Sequence, residues 1–206
     1  MLSYLQRQSI DKSTPHLFKL YRTPLSTRWP VLMLTLTLLR HAKSSWDNPG
    51  HDDFSRPLNA RGLQAAPEAG RALRELGIVP ELVFCSPAQR TRETFRLALP
   101  EMHLAAVPKI VFDDTLYLAP PGQMLDQLRK VDTNHASVLL IGHNPGMHNL
   151  AEALAGPGGP STQALNERLA EKFPTAAIAV LTFNKKSWRD VGPRTGRLTA
   201  FWTPKK

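Results

Sequence analysis

Cysteine is all but missing from this chain. One residue, Cys85, stands among 206, so no internal disulfide framework is available and a reducing compartment is expected, which points to the cytoplasm. Long apolar runs are missing too. None approaches the roughly 18 residues that a membrane-spanning helix needs, and no membrane partner is expected. No apolar stretch of about 7–15 residues precedes a small-residue cleavage site, so no secretory signal is read. Acids are scarce: 17 Asp and Glu face 26 Lys and Arg, for a net charge of +9. Such a balance raises the question of nucleic acid. The cations are scattered, however, without a Lys/Arg run or interleaved aromatics, and Arg7, Lys12, Lys19, Arg22 and Arg28 lie in the first 32 residues against Asp11 alone. No nucleic-acid partner is expected, and a pocket for a phosphate-bearing substrate accounts for part of the charge. Internal repeats are also absent.

Residues 1–32 show no sustained apolar periodicity and carry Pro15, Pro24 and Pro30. They are expected to form a basic, flexible N-terminal extension, with residues 33–206 as one domain. An organelle transit peptide is the functional alternative, since such segments are basic, Ser-rich and acid-poor.

What is present begins with an apolar run over residues 31–39, near-continuous apart from Thr35 and Thr37, which suits a central strand covered on both faces. Residues 43–57 read as loop, with a turn signal at Asp47-Asn48-Pro49-Gly50. Residues 58–76 read as a helix, with Asn59 as N-cap and Gly77 as its stop. Leu63, Ala66, Gly70, Leu73 and Leu76 are its expected inner face, and Pro67 predicts a kink or a later start. Residues 81–85 form a short strand, after which Ser86 as N-cap and Pro87 as first residue open a helix to about Leu99. Further strands are expected at 109–112, 137–141, 176–183 and, on an edge, 196–202; further helices at 121–131, 147–154 and 162–171. Strands alternating with helices of this length predict an α/β chain folded as a three-layer αβα sandwich.

Three strands end in conspicuous polar groups. The first ends in Arg40-His41. The second runs into Ser86-Pro87-Ala88-Gln89-Arg90, with Arg90 in the first turn of a helix. The third ends in Gly142-His143-Asn144. Ligands of open α/β sheets bind at the carboxyl ends of the strands. If these strands are neighbours, two arginines and two histidines converge there. Guanidinium forks match phosphate oxygens, and a neutral imidazole among them is a nucleophile toward phosphorus, kept neutral by the adjacent positive charge.

RHAKSSW after the first strand, SPAQRTRET before a helix and GHNPG after a later strand resemble the histidine phosphatase superfamily. The closest likeness is to its small SixA-type phosphohistidine phosphatases, and RPLNARG at residues 56–62 resembles the segment opening their first helix. The resemblance implies a phosphoglycerate mutase-like fold with a mostly parallel mixed sheet, and a metal-independent enzyme without cofactor. It implies that His41 attacks phosphorus to form a phosphohistidine intermediate, that Arg40, Arg90 and His143 bind the phosphoryl oxygens, that Ser44 lies near the phosphate and that Asn144 steadies the second histidine. Ala42 replaces the glycine of the common Arg-His-Gly form, and Asp47 stands near a phosphate-binding asparagine of mutase relatives. The glutamate that many ester-cleaving relatives use as general acid is missing from residues 113–118, where Asp113 or Asp114 is the available substitute. A P–N bond to a protonatable imidazole leaves more easily than an alkoxide. The expected substrate is therefore phosphohistidine on a protein, such as a histidine phosphotransfer domain. A small phosphorylated metabolite and an inactive phosphoprotein-binding module are the alternatives.

Other polar residues are expected to be bystanders. Cys85 is separated by four residues from Arg90 and by six from Arg92, whereas cysteine phosphatases place five between thiolate and arginine. Arg92 is read as a rim residue. His16, His51, His103 and His135 are read as surface residues, and the spacing of His148 from His143 does not suit a zinc site.

Overall fold

The computed structural model describes residues 33–47, 50 and 52–205. The expected extension over residues 1–32, the first two residues of the predicted first strand, Asn48-Pro49 of the predicted turn, and His16 and His51 lie outside that set.

Six strands form one sheet in the order β3-β2-β4-β1-β5-β6. They are β1 (Leu34–Arg40), β2 (Leu82–Cys85), β3 (Lys109–Phe112), β4 (Ser137–Gly142), β5 (Ile178–Phe183) and β6 (Arg197–Trp202). The first four are parallel, while β5 and β6 are antiparallel additions beside β1. β1 is central, and its side chains enter both cores: Leu34, Leu36 and Leu38 on one face, Leu39 on the other, all fully buried. Helices α1 (Ala60–Glu75) and α2 (Gln89–Ala98) cover the Leu39 face. Helices α3 (Pro121–Arg129), α4 (Gly146–Leu154) and α5 (Pro160–Glu171) cover the other, with Trp188 buried among them and donating its indole N–H to His135 O. The result is the three-layer αβα sandwich with a mostly parallel mixed sheet.

Local chemistry explains most boundaries. The Asn59 side chain accepts from Gly62 N as the N-cap of α1, and Gly77 follows its end at φ +68°. Three expectations need correction. α1 does not begin at Pro67 but runs through it: residue 63, whose carbonyl the proline leaves unbonded, sits on the exposed side, where water can satisfy it. The buried side of α1 is made of Gly62, Ala66, Ala69, Gly70, Ala72 and Leu73, while Leu63 and Leu76 face solvent. Small residues occupy that face because the backbone of α2 comes close; a Cβ on Gly70 would stand 2.2 Å from Ala98 O. Finally, Ser86 is not the cap of α2. That helix starts at Gln89 after Ala88, and the Ser86 hydroxyl is engaged elsewhere.

No described helix is long and apolar enough to cross a membrane.

Candidate active site

Strand order makes the site. β2, β4 and β1 are consecutive in the sheet, and their carboxyl ends lie level: Arg40 pairs with Gly142, and Cys85 with Ile141. His41 N donates to Gly142 O at 3.1 Å, and Ser86 N to Ile141 O at 3.0 Å. His41 and His143 are thereby brought together, with ring centroids 5.2 Å apart. Arg90, in the first turn of α2, is buried beside them. These residues line a cavity of about 300 Å³, together with Lys43, Ser44, Trp46, Asp53, Arg56, Leu118 and Asn144. Arg40, His41, Arg90, His143, Ser44 and Asn144 all meet there.

The geometry around His41 is restrictive. Its Nδ1 lies 2.7 Å from Ala42 O. A carbonyl oxygen only accepts, so Nδ1 carries the proton and the lone pair of the neutral ring is on Nε2. Ala42 is itself held by Thr94, whose Oγ1 accepts from Ala42 N at 2.9 Å and donates to Arg90 O at 2.6 Å. One threonine on α2 therefore ties the loop after β1 to the arginine's backbone. Burial lowers the His41 pKa to about 3; the contact with Ala42 O opposes this, and Arg90, Arg40 and Arg56 push it further down. Desolvation, more than neighbouring charge, keeps this imidazole neutral. His143 is also brought to about 3, by burial first and then by His41 and Arg90, against an upward pull from Asp53. Its Nε2 lies 2.8 Å from Ser86 Oγ, and its buried Nδ1 has no protein partner.

Ser44 and Asn144 are held by the protein. Ser44 Oγ accepts from Arg56 Nη2 at 2.7 Å, and Asn144 Nδ2 donates to Phe173 O at 2.9 Å, a carbonyl that also accepts from Arg40 Nη1 at 2.8 Å. Residues 43–45 lie along residues 57–59, with Asn59 N donating to Lys43 O and Ser45 N to Pro57 O. This pairing brings Arg56 over the cavity, where its guanidinium stacks 3.1 Å from the centroid of the Trp46 ring.

The carboxylates noted beside the motif blocks do not reach the cavity, and Asp113 and Asp114 are not available there as a substitute acid. Asp113 accepts from Thr115 N and Thr115 Oγ1 as the cap of a 3-10 turn, and neither it nor Asp114 lines the cavity. Asp47 accepts from Ser45 Oγ and likewise stays off the cavity wall. The carboxylate that does reach the cavity is Asp53, which sequence reasoning missed. Its Oδ1 accepts from Arg56 Nη1 at 2.7 Å; its Oδ2 accepts from Arg90 Nη2 at 2.9 Å and from the Tyr117 hydroxyl at 2.6 Å. Partial burial pushes its pKa up, but the Tyr117, Arg56 and Arg90 contacts outweigh this and hold it at about 2. The only signal in the sequence was the Asp53/Arg56 spacing inside a segment without periodicity.

A larger cavity of about 690 Å³ lies across residues 54–55, walled by Phe95, Leu99 and Phe112 and rimmed by exposed Arg92 and Arg96. It contains none of the histidines. Cys85 is buried, and that burial pushes its thiol up to about 12, which removes it as a nucleophile. Among the described residues, no group of three or more His, Cys, Asp or Glu is placed to hold a metal ion.

Comparison with known proteins gives the family and the fold. Residues 36–116 match the model of the histidine phosphatase superfamily, branch 1. An uncharacterized protein of Mycobacterium tuberculosis is 36% identical over 167 residues, covering 81% of this chain and all of that protein. An uncharacterized chloroplastic protein of Arabidopsis thaliana is 32% identical over 168 residues, covering 78% of this chain and 72% of its own. Among solved structures, SixA of Agrobacterium tumefaciens superposes with a TM-score of 0.67 at 31% identity, over 83% of this chain and 98% of that one. The tungstate complex of the protein histidine phosphatase SixA shares the fold, with a TM-score of 0.62 at 22% identity over 82% of this chain and 96% of that one. With its three motif blocks meeting at the ends of three adjacent strands, the chain belongs to the histidine phosphatase superfamily and is of the SixA type.

Proposed function

We propose that this phosphatase hydrolyses phosphohistidine on a protein through a phosphohistidine intermediate on His41. The observation that carries the reading is the neutral His41 ring, with its proton on Nδ1 against Ala42 O and its lone pair on Nε2, in a cavity shared with Arg40, Arg90 and His143. Nε2 attacks phosphorus while the guanidinium groups of Arg40 and Arg90 take the charge on the equatorial oxygens. His143 donates from Nδ1 to a phosphoryl oxygen, which requires the Ser86 hydroxyl to donate to Nε2. Ser44 and Asn144 border the phosphoryl group. Water then cleaves the His41–phosphorus bond and releases inorganic phosphate.

The P–N substrate class is supported by the carboxylate inventory. An alkoxide needs a protonated acid to leave, and the carboxyl on the cavity wall, Asp53, is an anion at neutral pH. An imidazole leaves without that help. Rapid quench with labelled phosphohistidine tests the proposal: an acid-labile, base-stable phosphoenzyme forms in the wild type and is absent in His41→Ala, with turnover down at least about a thousandfold. Near-normal turnover in His41→Ala would overturn the mechanism. A panel in which sugar or aryl phosphates are cleaved with higher kcat/KM than phosphohistidine would overturn the substrate class in favour of a small-molecule phosphomonoesterase.

A further inference from the structure

We infer that Asp53 forms a cation subsite on the cavity wall, which accepts the distal N–H of an imidazolium leaving group and so selects phosphoimidazole-type substrates. The inference rests on the P–N reading above and assigns it a residue.

The site is a placement as much as a charge. Asp53 belongs to residues 47–57, away from the strand ends that hold the histidines, yet three elements converge on its carboxylate: Arg56 from the same segment, Arg90 from α2 and Tyr117 beside the 3-10 turn after β3. Arg90 Nη1 also donates to Asp53 O, so backbone and side chain are fixed together. Despite these contacts the side chain remains 42% exposed, and it lines the same cavity as His41. A carboxylate has about four acceptor positions, and these three donors occupy three of them.

An anion on a phosphate pocket needs a reason, because it opposes phosphate binding. Here Arg90, in contact with Asp53, and Arg40 line the pocket, and the proposed mechanism assigns both to the phosphoryl oxygens. A carboxylate beside them lowers the net charge, and its benefit must come from a different part of the substrate. Phosphohistidine supplies that part: the ring nitrogen not bonded to phosphorus carries a proton in the reactive cationic form. The rim next to Asp53 suits a flat ring, with Trp46 and Leu118 both exposed and both lining the cavity. Leu118 is held at φ +49°, a conformation that a branched side chain seldom adopts. Tyr117 and Leu118 thus place one polar and one apolar group at the same rim.

The transfer balances without an external acid. His41 Nε2 forms the new bond to phosphorus as the bond from phosphorus to the substrate nitrogen breaks. The electron pair of that bond stays on the leaving ring, which keeps its distal proton and departs neutral. His41, still protonated on Nδ1, becomes the phosphoimidazolium. The positive charge moves from a ring beside Asp53 to a ring against Ala42 O, and no proton is transferred.

The test compares phosphoimidazole with p-nitrophenyl phosphate, whose phenolate carries no N–H, in the wild type and in Asp53→Asn. Because Asp53 also holds Arg90 and Arg56, both substrates are expected to lose kcat/KM, and the loss on phosphoimidazole is expected to exceed that on the aryl phosphate by at least about tenfold, the scale of a charge-assisted hydrogen bond. Equal losses on both substrates would overturn the inference, because Asp53 would then only position Arg90 and Arg56; unchanged values on both would overturn it as well. A measurement on the unmodified protein keeps the test independent of folding in the variant. Capping the distal nitrogen with a methyl group retains the cation and removes the N–H, and it is expected to lower kcat/KM at least about tenfold; equal turnover of the methylated substrate would sink the idea. A wild type that cleaves only the aryl phosphate defeats the P–N reading itself, an outcome distinct from loss of selectivity in the variant.

Discussion

His41 and His143 show how much of a residue's chemistry is set by what surrounds it. Both rings are nearly inaccessible, and burial is the leading cause of their lowered pKa values. Histidine in water titrates near 6.5. Both rings are therefore expected to remain neutral between about pH 5 and 7, and imidazole NMR signals that do not move across that range would verify it; a ring titrating near 6.5 would contradict the proposed role of His41. Ser86 acts through His143. Removing its hydroxyl in Ser86→Ala leaves a buried ring nitrogen unpaired, at a cost of about 1–2 kcal/mol. The expected result is a roughly tenfold drop in kcat, with KM changed less because the proposed mechanism has His143 serve the transition state. A loss confined to KM would place the bond in substrate binding instead.

At the scale of elements, the site depends on close approach between a loop and a helix. Gly62, in the first turn of α1, sits against residue 43: a Cβ there would lie 2.1 Å from Lys43 O. The same loop segment carries Ser44 and is paired with residues 57–59. Gly62→Ala is therefore expected to push residues 43–45 outward. Overpacking of this kind costs about 1–3 kcal/mol, or roughly 2–12 °C in Tm for a chain of this size. Activity should fall together with stability, because Lys43 and Ser44 line the cavity. A thermal melt paired with a steady-state assay would check both; a variant with lowered Tm and full activity would show that the segment can move without consequence for the site.

Across the whole molecule, the neutral histidines couple folding to pH. In the unfolded chain these rings bind protons below about pH 6.5, while in the folded chain they do so only near 3. Between those values the unfolded state holds more protons, so stability falls as pH falls through the window. Asp53 acts in the same direction at lower pH, since its folded value of about 2 lies below the ordinary 3.8. Each fully engaged ring contributes about 1.4 kcal/mol per pH unit. Melting temperatures measured from pH 7 down to 4 should decline, and the decline should be shallower in His41→Gln. An identical slope in that variant would show that His41 is not one of the linked groups.

The order of elements and the main chemical residues were legible in the chain because each depends on local chemistry. Alternating apolar strands and helices identified the sandwich, and β3 appears over the residues where the pattern placed it. Arg40, His41 and His143 were readable because they stand at the ends of predicted strands, and Arg90 because it opens the helix after one. Their convergence was conditional on strand order, which periodicity does not encode; hydrogen bonding among β2, β4 and β1 decides it. The role of Ser86 was misread for the same reason. Its position before a proline is a good local cap, but a histidine 57 residues away competes for the hydroxyl and wins. Asp53 was hidden altogether, since its partners Arg90 and Tyr117 lie 37 and 64 residues away and its own segment has no periodicity. The sequence by itself determined which groups stand at the strand ends: two arginines and two histidines. Only the tertiary structure decided that the rings are buried enough to stay neutral and that a carboxylate shares their cavity, because burial and long-range pairing are properties of the packed chain.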